Sequence, residues 1–234
     1  MDRLKLILAA AALGLASAAL AAQSVDAPIE RYRDSAALHE LGGVRGRAFQ
    51  ERRRPSLPDM PLTAVAVSLL PRSETWLVRL NAIKRGARDS VDTFRDSAPS
   101  VRRAREAYEK ALLEAGAGDL PQGATVDGEG RFRLDGVPAG PWLLLASRSS
   151  YVSKTPLERP IPPGQFRQPA PPLPFLPPDK LAGYYVVTYW LRELTVVGGG
   201  VEAVELTDRN VWLTGVAESI QPPRLPDQPY QPRR

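Results

Sequence analysis

From Gly123 to Ala146, glycine and proline interrupt an apolar pattern at short, regular intervals, and this constrains the fold more than any other feature of the 234-residue chain. Ala124-Thr125-Val126 leads into Asp127-Gly128-Glu129-Gly130, which has the composition of a turn, with Gly130 suited to a positive φ. Arg131-Phe132-Arg133-Leu134 alternates, so Phe132 and Leu134 share one face of a strand and Arg131 and Arg133 the other. Asp135-Gly136 signals another turn. In Val137-Pro138-Ala139-Gly140-Pro141, Pro138 fixes φ and Gly140 allows a reversal, before the apolar strand Trp142 to Ala146. Short strands parted by Gly and Pro turns predict a β-sandwich.

Other segments fit the same architecture. Val44 to Phe49 alternates as a half-buried strand, and Leu62 to Leu70 is β-branched and apolar on both sides. Tyr184 to Val197, Val201 to Leu206 and Val211 to Leu213 read as further strands, with Gly198-Gly199-Gly200 as a turn. About seven strands are expected.

The period changes between residues 72 and 118. Trp76, Leu80, Ile83, Ala87, Val91 and Phe94 recur at steps of three and four, the stripe of an amphipathic helix capped by Ser73. Ala98-Pro99 breaks that pattern, and Pro99 behind Ser97 suits the first turn of a second helix. Val101, Ala104, Tyr108, Ala111, Leu112 and Ala115 give its apolar face, and Gly116 and Gly118 stop it. Two facing stripes predict an antiparallel helical hairpin inserted into a mainly β domain.

The ends set the context. Arg3 and Lys5 precede the apolar run Leu6 to Leu20, and Ala19-Leu20-Ala21 offers a signal-peptidase site. Residues 1–21 are read as a signal peptide, cleaved before Ala22, which predicts export to the periplasm or the extracellular space. The run is short and Ala-rich for a membrane span, and no second long apolar stretch follows. Residues 22–42 form a polar lead-in with weak helical character around Asp34 to Leu41. The sandwich domain is expected over 43–218, with a Pro-rich extended loop at 155–179 and a disordered Pro-rich tail at 219–234. The chain has no Cys, so an exported form must be held by a core and not by disulfides.

The stretch Thr125 to Ala146 resembles the core of the carboxypeptidase regulatory-like domain, a transthyretin-like or prealbumin-type β-sandwich. The matching places are the turn Asp127 to Gly130, then Phe132 and Leu134, the Val137-Pro138-Ala139-Gly140 corner and the strand from Trp142. Gly46 within Val44-Arg45-Gly46-Arg47 resembles the first strand of that family, Pro61 to Pro71 the second and Val201 to Leu206 the last. The resemblance covers roughly half of the mature chain and implies the fold and an accessory, binding or assembly role without catalysis. The helical insertion and the long Pro-rich connection depart from the family pattern.

The chemistry of the side chains narrows function further. One His and no Cys exclude a His-rich or thiolate metal site, and no Gly-x-Ser-x-Gly elbow is present. His39 reads as a surface residue. Asp127-x-Glu129 lacks the closing glutamate of a calcium loop. No catalytic residue, cofactor or metal ligand is therefore assigned. The positive excess is modest, and Arg52-Arg53-Arg54 sits beside Pro55 and Pro58, so a nucleic-acid partner is not expected.

The candidate interaction surface is the outer side of the hairpin, with Arg79, Lys84, Arg85, Arg88, Arg102, Arg103 and Arg105 interspersed with Asp89, Asp92 and Asp96. The expected function is an exported, non-catalytic protein-binding or scaffolding module whose partner is another envelope or secreted protein. The alternative is a carbohydrate-binding module in which Tyr184, Tyr185, Tyr189 and Trp190 stack on sugar. A helix–sheet groove lined by Trp76, Phe94 or Tyr108 is a further candidate ligand site.

Overall fold

The computed structural model describes residues 25–52, 54, 56, 58–153 and 183–219. The predicted signal peptide, the whole Pro-rich loop at 155–179 and the tail from 220 lie outside these residues. The described chain is mainly β, with a helical insertion, and its nine strands form two sheets. In chain order the elements are α1 (Ile29–Ala37), β1 (Leu41–Gln50), β2 (Met60–Pro61), β3 (Ala66–Pro71), α2 (Glu74–Gly86), α3 (Val91–Glu114), β4 (Gln122–Thr125), β5 (Arg131–Pro138), β6 (Gly140–Ser153), β7 (Gly183–Val196), β8 (Val201–Thr207) and β9 (Leu213–Ser219).

Sheet A is centred on β1. β5 pairs antiparallel with Leu41 to Arg47, β2 with Phe49 and Gln50, and β8 runs parallel along Gly43 to Phe49. Sheet B is antiparallel throughout, in the order β4-β3-β6-β7-β9. Val44, Ala48, Phe132, Leu134, Val204 and Leu206 from sheet A and Val67, Leu69, Trp142, Leu144, Ala146 and Trp190 from sheet B are buried in the core. The two indoles find polar partners as they are buried: Trp142 Nε1 donates to Pro138 O at 2.9 Å and Trp190 Nε1 to Thr207 O at 2.7 Å. Gly46 faces Phe132 across β1 and β5, and a Cβ at Gly46 would lie 2.1 Å from the Phe132 ring. Only glycine lets that ring fill the space.

The Gly/Pro signals resolve differently from expectation at one point. Asp135-Gly136 does not turn the chain. β5 runs through it, and the register slips there, so that Gly42 faces Val137 and Gly43 faces Asp135. Gly136, at φ +68, is the extra residue of a bulge. The Pro138-Ala139-Gly140 corner provides the expected reversal. It carries the chain from β5 in sheet A to β6 in sheet B, with Ala139 N donating to Glu40 O at 2.9 Å. The turn at Asp127 to Gly130 does form: Asp127 Oδ1 accepts from Glu129 N and Arg131 N, and Gly130 has φ +79.

The lead-in is part of the fold. Its helix lies earlier than Asp34 to Leu41, because Pro28 starts it and His39, at φ +58, lies beyond its end. Tyr32 is fully buried, with its ring 4.7 Å from that of Trp142, and its hydroxyl donates to Pro141 O. α1 thus closes the end of the sandwich beside Gly140. β1 begins at Leu41, slightly before the expected domain edge.

The helical hairpin forms, but its break is not at Pro99. α3 runs unbroken through Pro99, and the two helices part at Ala87 to Ser90. Ser90 Oγ accepts from Thr93 N at 3.1 Å while Ser90 N donates to Thr93 Oγ1 at 3.0 Å, a reciprocal cap that fixes the start. Proline removes one helical N–H, and here the segment on both sides is long enough to continue. Ser73 caps α2 as expected, accepting from Trp76 N.

The hairpin lies on the outer face of sheet B. Alternation puts Ala66, Leu143, Leu145, Ser147, Val187, Tyr189 and Gly215 on that face. Tyr189 Oη donates to Ala98 O at 3.0 Å and Tyr108 Oη to Pro71 O at 2.9 Å. α3 comes so near β9 that a Cβ at Gly215 would lie 2.5 Å from Ser97 Oγ. Sheet B is therefore covered on both faces, which is why Trp142 through Ala146 form five consecutive buried residues. Among the described residues no helix is long and apolar enough to cross a membrane.

Candidate functional site

α3 touches β9 closely and then leaves sheet B as it crosses towards β3. The residues beneath its later turns are small: Ala66, Ser147 and Ser149. A cleft of about 420 Å³ remains between helix and sheet. Leu145, Val187 and Ala217 give it an apolar floor, Ser147, Ser149 and Tyr185 supply hydroxyls, and Arg102 and Arg105 overhang it from α3. An apolar floor with a few convergent polar groups is the composition of a small binding site.

Arg105 is the least satisfied of these groups. Its Nε is buried without a hydrogen-bond partner. It lies 3.4 Å from Glu109 Oε1, without hydrogen-bond geometry, and Nη1 reaches Ser68 Oγ only at 3.5 Å. Arg102 is exposed, with a long contact of 3.8 Å to Glu106. The cleft thus holds two guanidiniums whose carboxylate partners, Glu106 and Glu109, meet them without hydrogen-bond geometry.

The predicted basic surface divides in the structure. Arg102 and Arg105 reach the cleft. Arg103 does not, because Asp96 and Ser100 hold it, at 2.8 Å and 2.9 Å. The hydrogen bonds from Ser100 and Arg103 keep the Asp96 carboxyl below its ordinary range. Arg79, Arg85 and Arg88 are exposed on and just after α2. Lys84 lies with Nζ 5.6 Å from the centre of the Trp212 ring.

The aromatic expectations separate in the same way. Trp76 and Tyr108 do not line a groove. They stack at 4.7 Å and 14° inside the core, while Phe94 is 38% exposed away from the cleft. Burial pushes the Tyr108 and Tyr189 phenols above their ordinary range. Trp190 and Tyr189 are buried, Tyr184 and Tyr185 half-buried. Tyr185 alone of the four both borders the cleft and keeps exposed surface, and its ring packs edge-on to Tyr151 at 5.1 Å. His39 is exposed. Among the described residues no group of three or more His, Asp or Glu side chains could hold a metal ion.

Sequence reasoning picked Arg102 and Arg105 for their charge, not for the cleft. Ser147 and Ser149 were missed. Their signal is the change along β6 from Trp142-Leu-Leu-Leu-Ala146 to small polar residues, which marks where the cover on sheet B ends.

No family model matches the chain, and no curated protein matches it. Among solved structures, the chain is similar to a candidate carbohydrate-binding protein of Pseudomonas aeruginosa, at 16% identity and a TM-score of 0.39, over 71% of this chain and 88% of that one.

Proposed function

We propose that this chain is an exported, non-catalytic binding module of the envelope or secreted space, and that it holds a protein partner at the cleft beneath α3. The observation that carries the reading is Arg105, whose buried Nε has no hydrogen-bond partner beside an apolar floor. A guanidinium met only by the misaligned Glu109 carboxylate selects a better-placed acceptor, and a second carboxylate answers it in two-point geometry. The partner would insert an acidic side chain or its terminal carboxylate, with an apolar neighbour on Leu145 and Val187. Export rests on the Arg3, Lys5 and Leu6 to Leu20 pattern. Membership of the carboxypeptidase regulatory-like family rests on the Asp127 to Gly130 turn and the Gly46–Phe132 contact.

The test is affinity capture from the envelope fraction with wild-type protein, Arg105→Ala and Arg79→Ala. A partner retained by wild type and Arg79→Ala and lost with Arg105→Ala is the expected result. Equal retention by all three contradicts the reading.

Tyr185 favours a second reading, a carbohydrate in the same cleft. Its half-exposed ring offers a stacking face beside the Ser147 and Ser149 hydroxyls. A glycan array separates the two: binding that Tyr185→Ala abolishes would select the sugar, and silence from a folded sample would remove it.

A further inference from the structure

The outer face of sheet A, on the far side of the molecule from α2 and α3, carries a second candidate site. β1 and β5 place Arg45 directly opposite Arg133 and Arg47 directly opposite Arg131. Directly opposed side chains lie about 5 Å apart at Cβ, and alternate residues of one strand about 7 Å apart, so four guanidiniums share one small cell. All four are exposed. Like charges placed directly opposite each other oppose folding, and this cell contains two such pairs in adjacent rows.

The acidic groups around the cell relieve only half of it. Asp135 holds Arg133 at 2.6 Å from one end, and Glu129 meets Arg131 at 3.2 Å from the other. Asp127 is occupied by backbone N–H groups of its own turn. Glu205 faces Arg47 across β8 but makes no ion pair with it among the described residues. Arg45 makes no ion pair or side-chain hydrogen bond with any described residue, and Arg47 only overlies the Phe49 ring at 5.0 Å. The face forms an open groove of about 660 Å³.

We infer that this arginine cell binds an acidic saccharide, a sugar bearing a carboxylate or sulfate, through Arg45 and Arg47. The anionic group takes the two unpaired guanidiniums in the centre, and the ring hydroxyls donate to Glu205 and Asp135 at the rim. The chemistry of the rim decides the class. Carboxylates around a basic centre repel a densely charged polymer or an anionic lipid surface and accept hydrogen bonds from hydroxyls. The groove lining offers no exposed aromatic or Met anchor of the kind that holds protein interfaces. Beyond the predicted signal peptide, the two long segments outside the described residues, 154–182 and 220–234, carry more basic than acidic residues, so neither complements the cell.

Calorimetric titration of the full mature chain tests this, with trigalacturonate as probe and maltotriose, poly-glutamate and phosphatidylglycerol vesicles as comparisons. Trigalacturonate should bind, weakening as salt rises, and maltotriose should not. Arg45→Gln with Arg47→Gln should lower the affinity about tenfold or more, the scale of losing a charge-assisted two-point contact. Arg79→Gln with Arg85→Gln removes the same charge elsewhere and should leave the affinity unchanged. Arg45→Gln alone should bind less well and also melt at a higher temperature, because it removes repulsion without breaking an ion pair. Arg105→Ala should leave trigalacturonate binding intact, so failure of the cleft reading and failure of this one are separable. Absence of trigalacturonate binding, equal loss from the Arg79 and Arg85 pair, or tighter binding of poly-glutamate or of the vesicles would overturn the assignment.

Discussion

The two sheets bury their inner faces against each other and treat their outer faces in opposite ways. Outside sheet B, Leu143, Leu145, Val187 and Tyr189 lie under α2 and α3. Outside sheet A, Arg45, Arg47, Arg131 and Arg133 stand in solvent. The difference lies in the alternation. β5 reads charged-apolar-charged-apolar from Arg131, the pattern of a strand wetted on one side, whereas β6 reads Trp-Leu-Leu-Leu-Ala from Trp142, the pattern of a strand covered on both. The hairpin is consequently the third layer of the domain, and the two candidate sites lie where that layer ends and on the face that never received one.

Deleting residues 72–118 gives the largest effect. With a Gly-Ser bridge in their place, sheet B would expose a continuous apolar face. The truncated chain should show no cooperative thermal transition, and a sharp one would mean that the hairpin is an appendage. Leu145→Ala comes next. It should cost about 2–5 kcal/mol in urea unfolding, whereas Arg45→Ala on the bare face should change stability by less than about 0.5 kcal/mol. Equal costs would erase the distinction between the faces.

Alkaline pH sharpens the comparison further. Burial raises the pKa values of Tyr32, Tyr108 and Tyr189, so the folded state favours the neutral phenols. Their contribution is complete below the unfolded tyrosine value of about 10 and declines as pH rises towards the folded values. Tyrosinate absorbance should show this group titrating late, as the fold opens. A modest effect is expected at Asp26. Burial alone would raise its pKa, but hydrogen bonds from Ser73 and Thr75 outweigh this and hold it low. Its contribution is therefore present above the ordinary carboxylate value and fades as pH falls through the folded one. Asp26→Ala should cost about 1 kcal/mol at neutral pH, as for a lost helix cap, and nothing once the carboxyl is protonated.

The fold was largely legible because its signals are local. Alternation at Arg131 to Leu134, the turn at Asp127 and the 3–4 spacing through α2 and α3 each follow from a few neighbouring residues. The boundary between the helices was misplaced because Pro99 is a strong stop by itself, while the reciprocal Ser90–Thr93 cap that wins is carried by two weak residues. The reversal at Pro138–Gly140 was legible, but not that it joins the two sheets, because a corner between sheets and a hairpin use the same residues. The candidate sites were barely legible. Arg105 meets Ser147 across a distance in sequence that only the path of α3 closes. The arginine cell requires β1 and β5 to be paired in one register, although the matching Arg-x-Arg of residues 45–47 and 131–133 was visible.

The chain lacks Cys, so a single introduced thiol reports its own position without background. Maleimide labelling of Leu143→Cys and Arg45→Cys in the native protein measures the cover on each sheet directly. Arg45→Cys should react at the rate of a free thiol, and Leu143→Cys, fully buried outside the cleft, should be protected until urea unfolds the chain. Equally fast labelling of both under native conditions would contradict the three-layer arrangement.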